Sequence, residues 1–247
     1  MVELKWGVVV LAAGKGTRMR SRLPKVLHRL GGRPLVDFVL DLALASAEAA
    51  DVVVVVGHGA EAVEECVRSR GVLTALQEPQ LGTGDALRVG LEAMDDRPPE
   101  AVLVLSGDVP LLRPETIMAL RAGLESGAGA VLLTAELDEP GAYGRVLRDP
   151  AGMVEAIVEA GDADPDTLAV REVNAGVYAF LRLPLVEALA DLAPENAQGE
   201  YYLTDVAAAQ RTRGLPVAAV RLEDPTEMLG VNTLADLERV ESLLASR

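Results

Sequence analysis

The feature that most constrains the fold is a repeated alternation: a short run of β-branched or leucine residues, a turn rich in Gly, Asp or Pro, then a stretch with helical spacing. Residues 8–12, 52–56, 72–76, 102–105 and 130–134 have the length and residue types of buried strands. Between and after them, 35–47, 60–70, 84–94 and 114–125 carry apolar residues at helical intervals. Strand then helix, repeated, predicts an α/β fold, a Rossmann-like and mostly parallel sheet with helices on both faces. Beyond residue 135 the rhythm changes. Shorter β-like pieces are expected at 143–148, 153–158 and 172–180, then helices at 183–192 and 204–213, a strand at 216–220 and a last helix at 234–244. No Pro/Ser-rich linker, low-complexity tract or internal repeat divides the chain, so residues 1–247 are expected to form one domain whose second half covers a pocket in the first.

In such sheets a ligand sits beyond the carboxyl ends of the strands. The first four strands end in AAGKGTR, GHG, QEPQLGTGDA and SGDVPLL, four chemically loaded turns expected on one edge. The first has small residues at Ala12, Ala13, Gly14 and Gly16, which let backbone N–H groups approach an anion. Lys15, Arg18, Arg20, Arg22 and Lys25 follow within eleven residues, and Pro24 fixes the chain before Lys25. In a chain of net charge −15 that concentration reads as an anion site; a solvated basic face is the plain alternative. The same net charge argues against a broad nucleic-acid surface, as does an aromatic content of 3%.

Two common phosphate fingerprints do not fit. A Walker loop needs Gly, four spacers and Gly-Lys-Ser/Thr, and a dinucleotide fingerprint needs a glycine where Met19 stands. Asp108, at the end of VLVLSGD and pinned by Pro110, offers a carboxylate either to a phosphate-bridging Mg²⁺ or to the cap of its own turn. In LGTGDA, Thr83 opens a helix. Gln77 has an amide suited to the edge of a base, though a surface glutamine is the ordinary reading. His28 and His58 have no partners for a zinc set, Ser106 has no evident histidine for a covalent serine mechanism, and Cys66 and Trp6 are read as packing residues. No apolar run approaches the roughly 18 residues that span a bilayer, and the acidic start passes straight into a strand, so a soluble, cytoplasmic protein is expected, with no membrane partner.

In order, LAAGKGTRMRSRLPKVLH, QLGTGDA, SGDVPLL, GAYGRVLRD, IVEAGDA, REVNAGVYAF, NAQGEYYLTDV and EMLGVNTLADLERVE resemble the uridylyltransferase half of the bacterial N-acetylglucosamine-1-phosphate uridylyltransferase/glucosamine-1-phosphate acetyltransferase family. The first block is shared by many sugar nucleotidyltransferases; the YGR, NAG and NAQGEYYLTD blocks are narrower. The resemblance implies a nucleotide-diphospho-sugar transferase fold, a Mg²⁺ cofactor and the substrates UTP and N-acetylglucosamine 1-phosphate. It puts the uridine and phosphate loop on Leu11, Ala12, Ala13 and Gly14, with Arg18 and Lys25 beside the phosphates. Gln77 falls on the uracil-reading glutamine, followed by Gly82 and Thr83. Asp108 and Asn232 fall on the metal ligands, and Gly144, Glu159 and Asn174 on the contacts to the sugar.

Two positions depart from the pattern: Ser106 stands where the family often has tyrosine, and Ala175 where threonine is usual. The family's trimerising β-helix of hexapeptide repeats, which carries acetyltransfer, has no counterpart in these residues. The implied reaction joins UTP and N-acetylglucosamine 1-phosphate into UDP-N-acetylglucosamine and pyrophosphate. Its rivals are the same chemistry on another pair, such as glucose 1-phosphate, and a non-catalytic sugar-nucleotide sensor.

Overall fold

A computed structural model of the chain describes residues 4–246. The strands are β1 (Trp6–Leu11), β2 (Arg29–Leu30), β3 (Arg33–Pro34), β4 (Val52–Val56), β5 (Leu73–Leu76), β6 (Ala101–Ser106), β7 (Ala130–Glu136), β8 (Arg145–Arg148), β9 (Val154–Val158), β10 (Glu172–Leu181) and β11 (Val217–Arg221). The helices are α1 (Leu35–Ser46), α2 (Ala60–Val67), α3 (Thr83–Glu92), α4 (Pro114–Glu125), α5 (Pro165–Leu168), α6 (Arg182–Ala190), α7 (Asp205–Thr212) and α8 (Leu234–Ala245). The main sheet runs β11-β7-β10-β6-β1-β4-β5. β5, β4, β1 and β6 are parallel neighbours, β11 is parallel to β7, and β10 lies antiparallel between β6 and β7. The expected mixed, mostly parallel α/β sheet is therefore the one observed.

The strand period of two explains why both faces are covered. On β1 and β4, Val8, Val10, Val52, Val54 and Val56 pack with α1, α2 and α4, while Val9, Val53 and Val55 pack on the other face with α3, α6 and α7. A strand buried on both faces must be apolar throughout, which is why Val52–Val56 reads VVVVV. Met19, Leu30, Leu35, Leu111, Val231 and Val240 form a smaller cluster that joins the first turn and the β2–β3 hairpin to α8.

Several expected bounds shift. The helix expected over 60–70 stops at Val67 and continues as a 3-10 turn, Arg68–Arg70. The β2–β3 hairpin and the one-turn α5 are too short for periodicity to reveal. Trp6 is core, with the Arg121 guanidinium 4.7 Å above its ring. Cys66 is half-buried against the α1/α2/α4 side of the sheet, and burial pushes its thiol pKa up. Among the described residues no helix is long and apolar enough to cross a membrane.

The element that most shapes the site is β10. Asn174 pairs with Thr134 but Tyr178 pairs with Leu132, so β10 carries two more residues than β7 across the same span. This bulge needs a residue at positive φ, and Gly176 supplies it at +71°. It pushes the chain toward the end of β6, where the Ser106 hydroxyl donates to the Gly176 carbonyl at 3.2 Å.

Candidate active site

A cavity of about 560 Å³ opens at the carboxyl ends of β1 and β6. The parallel register sets Leu11 beside Ser106, and the Gly107 N–H donates to the Leu11 carbonyl at 2.9 Å, so the first and fourth turns leave the sheet side by side. Leu11, Ala12, Ala13, Gly14, Arg18, Lys25, Gln77, Gly82, Thr83, Asp108 and Asn232, all expected site residues, line it. The GHG turn does not. It lies behind the cavity, where the His58 N–H donates to the Ala13 carbonyl and a Cβ on Gly57 would come within 2.8 Å of that same oxygen.

Arg18, Lys25, Asp108 and Asn232 form one hydrogen-bonded group. The Lys25 ammonium lies 2.5 Å from Asp108 Oδ2 and 3.1 Å from Asn232 Oδ1, and the Arg18 guanidinium donates to the same Asn232 oxygen at 2.9 Å. Lys25 reaches this point because Gly16, which has no Cβ, lets it approach; a Cβ there would lie 2.8 Å from Lys25 Cβ. Asn232 is set from both sides. The Val231 N–H donates to the Asp108 carbonyl at 2.9 Å, and Asp236 accepts from the N–H groups of Asn232 and Thr233 in the capping box that starts α8. Farther back, the buried Glu227 carboxylate accepts from the Thr116 hydroxyl at 2.6 Å and the Arg113 N–H at 3.1 Å, pinning the segment that carries Asn232 to the start of α4.

The LGTG loop is held against the segment that precedes α7: the Tyr201 N–H donates to the Leu81 carbonyl and the Gly84 N–H to the Tyr201 carbonyl, both at 2.8 Å. Beside it Gln77 is buried. Its Nε2 donates to the Gly82 carbonyl at 3.0 Å and to Asp85 Oδ2 at 2.9 Å. Its surface reading is thereby excluded.

Gly144, Glu159 and Asn174 do not line this cavity but lie together beyond the Ser106–Gly176 contact. The Asn174 N–H donates to the Gly144 carbonyl at 2.9 Å, and a Cβ on Gly144 would sit 3.4 Å from Glu159 Oε1. The Asn174 side chain bridges the bulge, accepting from the Gly176 N–H at 3.2 Å and donating to the buried Tyr178 hydroxyl at 2.7 Å. Burial pushes the Glu159 carboxyl up; the Thr204 hydroxyl, donating at 3.1 Å, works against this, while Asp205 and Asp162 add to it. Burial likewise pushes the Tyr178 phenol up.

Lys15 and Gly16 of the basic, glycine-rich turn also line the cavity; sequence reasoning missed Thr17, Val26, Gln80, Ala86 and Glu200 as lining residues, and Thr204, Tyr178 and Asp85 as partners of expected ones. Some signals were there: Gln80 is the second glutamine of QEPQ, and T-x-x-D over 233–236 spells a capping box. The pairing of Thr204 with Glu159, forty-five residues away, leaves no local trace, and that of Tyr178 with Asn174 depends on the bulge between them.

Residues 8–214 match the MobA-like NTP transferase domain. The chain is 49% identical over 240 residues to the bifunctional protein GlmU of Heliobacterium modesticaldum, covering 97% of this chain and 52% of that protein. It is 47% identical over 241 residues to that of Pelotomaculum thermopropionicum, covering 97% and 52%, and 48% identical over 236 residues to that of Burkholderia mallei, covering 94% and 51%. The chain thus spans about half the length of the curated relatives it matches. A solved structure of CMP:2-keto-3-deoxy-manno-octonic acid synthetase complexed with CTP superposes with a TM-score of 0.67 over 98% of this chain and 99% of that one; at 22% identity the likeness is one of fold. With its cavity at the ends of β1 and β6 and the match over residues 8–214, the chain belongs to the MobA-like NTP transferase domain family.

Proposed function

We propose that this chain transfers UMP from UTP to N-acetylglucosamine 1-phosphate, giving UDP-N-acetylglucosamine and pyrophosphate, with Mg²⁺ as cofactor. The observation that carries the reading is the convergence of Arg18, Lys25, Asp108 and Asn232 at a cavity whose other wall holds Gln77. The curated relatives and the order of the sequence motifs support the choice of nucleotide and sugar.

The donor set fits Mg²⁺. Asp108 Oδ2 and Asn232 Oδ1 already face one shared cation, the Lys25 ammonium, and hard oxygens of this kind are what the ion takes while phosphates and water fill its other positions. Asp108 and Asn232 would hold it, and it would neutralise charge between the two phosphate groups. The rest follows from the chain. An oxygen of the sugar phosphate is already an anionic nucleophile, so no protein base is needed. It bonds to the α-phosphorus of UTP; the bond from that phosphorus to the bridging oxygen breaks, and its electron pair leaves with pyrophosphate. The task is to bring two polyanions into line, and Arg18, Lys25 and the amides of the first turn supply positive potential for it. Gln77 faces the base; Gly144, Glu159 and Asn174 face the sugar.

The test is pyrophosphate release from UTP and Mg²⁺ with N-acetylglucosamine 1-phosphate, run beside glucose 1-phosphate and glucosamine 1-phosphate. Selective turnover of the first is expected. Preference for glucose 1-phosphate would overturn the roles of Glu159 and Asn174, and binding of UDP-N-acetylglucosamine without turnover of any of the three would make the chain a sensor.

A further inference from the structure

Gln77 is fixed in one orientation by chemistry as well as by packing. An amide nitrogen carries two hydrogens, and both are committed here, one to the Gly82 carbonyl and one to Asp85 Oδ2. Both partners only accept, so turning the amide over would set its oxygen against two oxygens. Asp85 cannot easily swing away. It is buried in the first turn of α3, and the Arg88 guanidinium holds its other oxygen at 2.5 Å. The locked amide therefore offers the cavity its oxygen, an acceptor, and no hydrogen.

We propose that Asp85, acting through Gln77, makes the site select a pyrimidine whose N3 carries a hydrogen, uracil, over one whose N3 is bare, cytosine. The inference rests on the reading of Gln77 as the base-facing group. Uracil presents a donor at N3 flanked by two carbonyl oxygens, whereas cytosine presents a lone pair at N3. Opposite a fixed acceptor the first makes a hydrogen bond and the second opposes two lone pairs. A glutamine free to turn over would offer its oxygen to one base and its NH₂ to the other, and would discriminate little. Asp85 is thus a positioning residue, eight places along the chain from the group it orients.

The test compares kcat/KM for UTP and CTP in the wild-type chain, Asp85→Asn, Arg88→Met and Gln77→Ala, with N-acetylglucosamine 1-phosphate as acceptor. Asp85→Asn keeps the shape; with Arg88 donating to its oxygen, the asparagine turns its NH₂ toward Gln77. Each orientation of the Gln77 amide then has one partner satisfied and one opposed, the Gly82 carbonyl in the flipped one, and the lock is lost. The UTP-to-CTP ratio should fall at least about tenfold, the scale of one hydrogen bond made or opposed, with kcat for UTP within about threefold. The ratio of UTP to thymidine triphosphate, which shares the N3 hydrogen, should not move. Arg88→Met leaves the Asp85 acceptor in place and should keep the wild-type UTP-to-CTP ratio. An unchanged ratio in Asp85→Asn while Gln77→Ala collapses it overturns the role of Asp85; an unchanged ratio in Gln77→Ala overturns the reading beneath it. A measurement on the wild-type chain stands even where the variant does not fold. The Nε2 protons of Gln77 should exchange with solvent far more slowly than those of an exposed glutamine, and exchange at the exposed rate would sink the proposal.

Discussion

The wall that carries Leu11, Gln77 and Asp108 hangs from the carboxyl ends of neighbouring parallel strands, whereas Gly144, Glu159 and Asn174 are gathered by antiparallel β8, β9 and β10 and by a bulge. On the first wall, position follows from local sequence: a buried strand ends, a turn begins, and its side chains arrive at the sheet edge. On the second, Asn174 reaches its place only because β10 enters the sheet between β6 and β7 with two extra residues. Under the proposed function, the parallel framework holds the nucleotide and the inserted antiparallel part sets the acceptor. Changes to the two walls should separate in kinetics.

Asp108→Ala should have the largest effect, a loss of at least about 10²-fold in kcat, the scale of one strong transition-state contact. Steady-state pyrophosphate release measures it, and near-normal turnover would remove Asp108 from the mechanism. Glu227→Ala should come next, in stability: it leaves the Thr116 hydroxyl and the Arg113 N–H without their buried acceptor, at a cost of about 1–3 kcal/mol in denaturant unfolding. Gly176→Ala would force a Cβ into the left-handed region at the bulge. It should raise KM for the sugar phosphate roughly tenfold, about the 1–2 kcal/mol of that strain, and leave KM for UTP alone; equal changes in both would erase the division between the walls.

The smallest expected effect concerns pH. Burial raises the Glu159 carboxyl, so it takes up a proton at a pH above the ordinary carboxylate range. As pH falls into that window, KM for the sugar phosphate should rise while KM for UTP stays level, and Glu159→Gln should flatten the profile. The folded chain binds this proton more tightly than the unfolded one, so the associated stability is present at low pH and lost as pH rises through the raised value. A profile for Glu159→Gln that matches the wild type would detach Glu159 from the sugar.

The same division explains what could be read from the sequence. Val52–Val56 and Ala101–Ser106 declare themselves by composition, and the turns after β1, β5 and β6 carry their chemistry on adjacent residues. Asn232 was legible only through the resemblance, because its place beside Asp108 depends on a hydrogen bond from Val231 across more than a hundred residues. The bulge left one trace, a glycine inside a strand pattern in VNAGVYAF, without saying how many residues it adds. The antiparallel entry of β10 and the bond from Gln77 to Asp85 are tertiary facts with no periodic signature.

The most direct test is a single competition. The chain is given Mg²⁺, equal UTP and CTP, and equal N-acetylglucosamine 1-phosphate and glucose 1-phosphate, and the nucleotide sugars formed are identified by mass. The proposed function predicts UDP-N-acetylglucosamine as the dominant product, matched mole for mole by pyrophosphate. A dominant cytidine or glucose product, or no product at all, would contradict it.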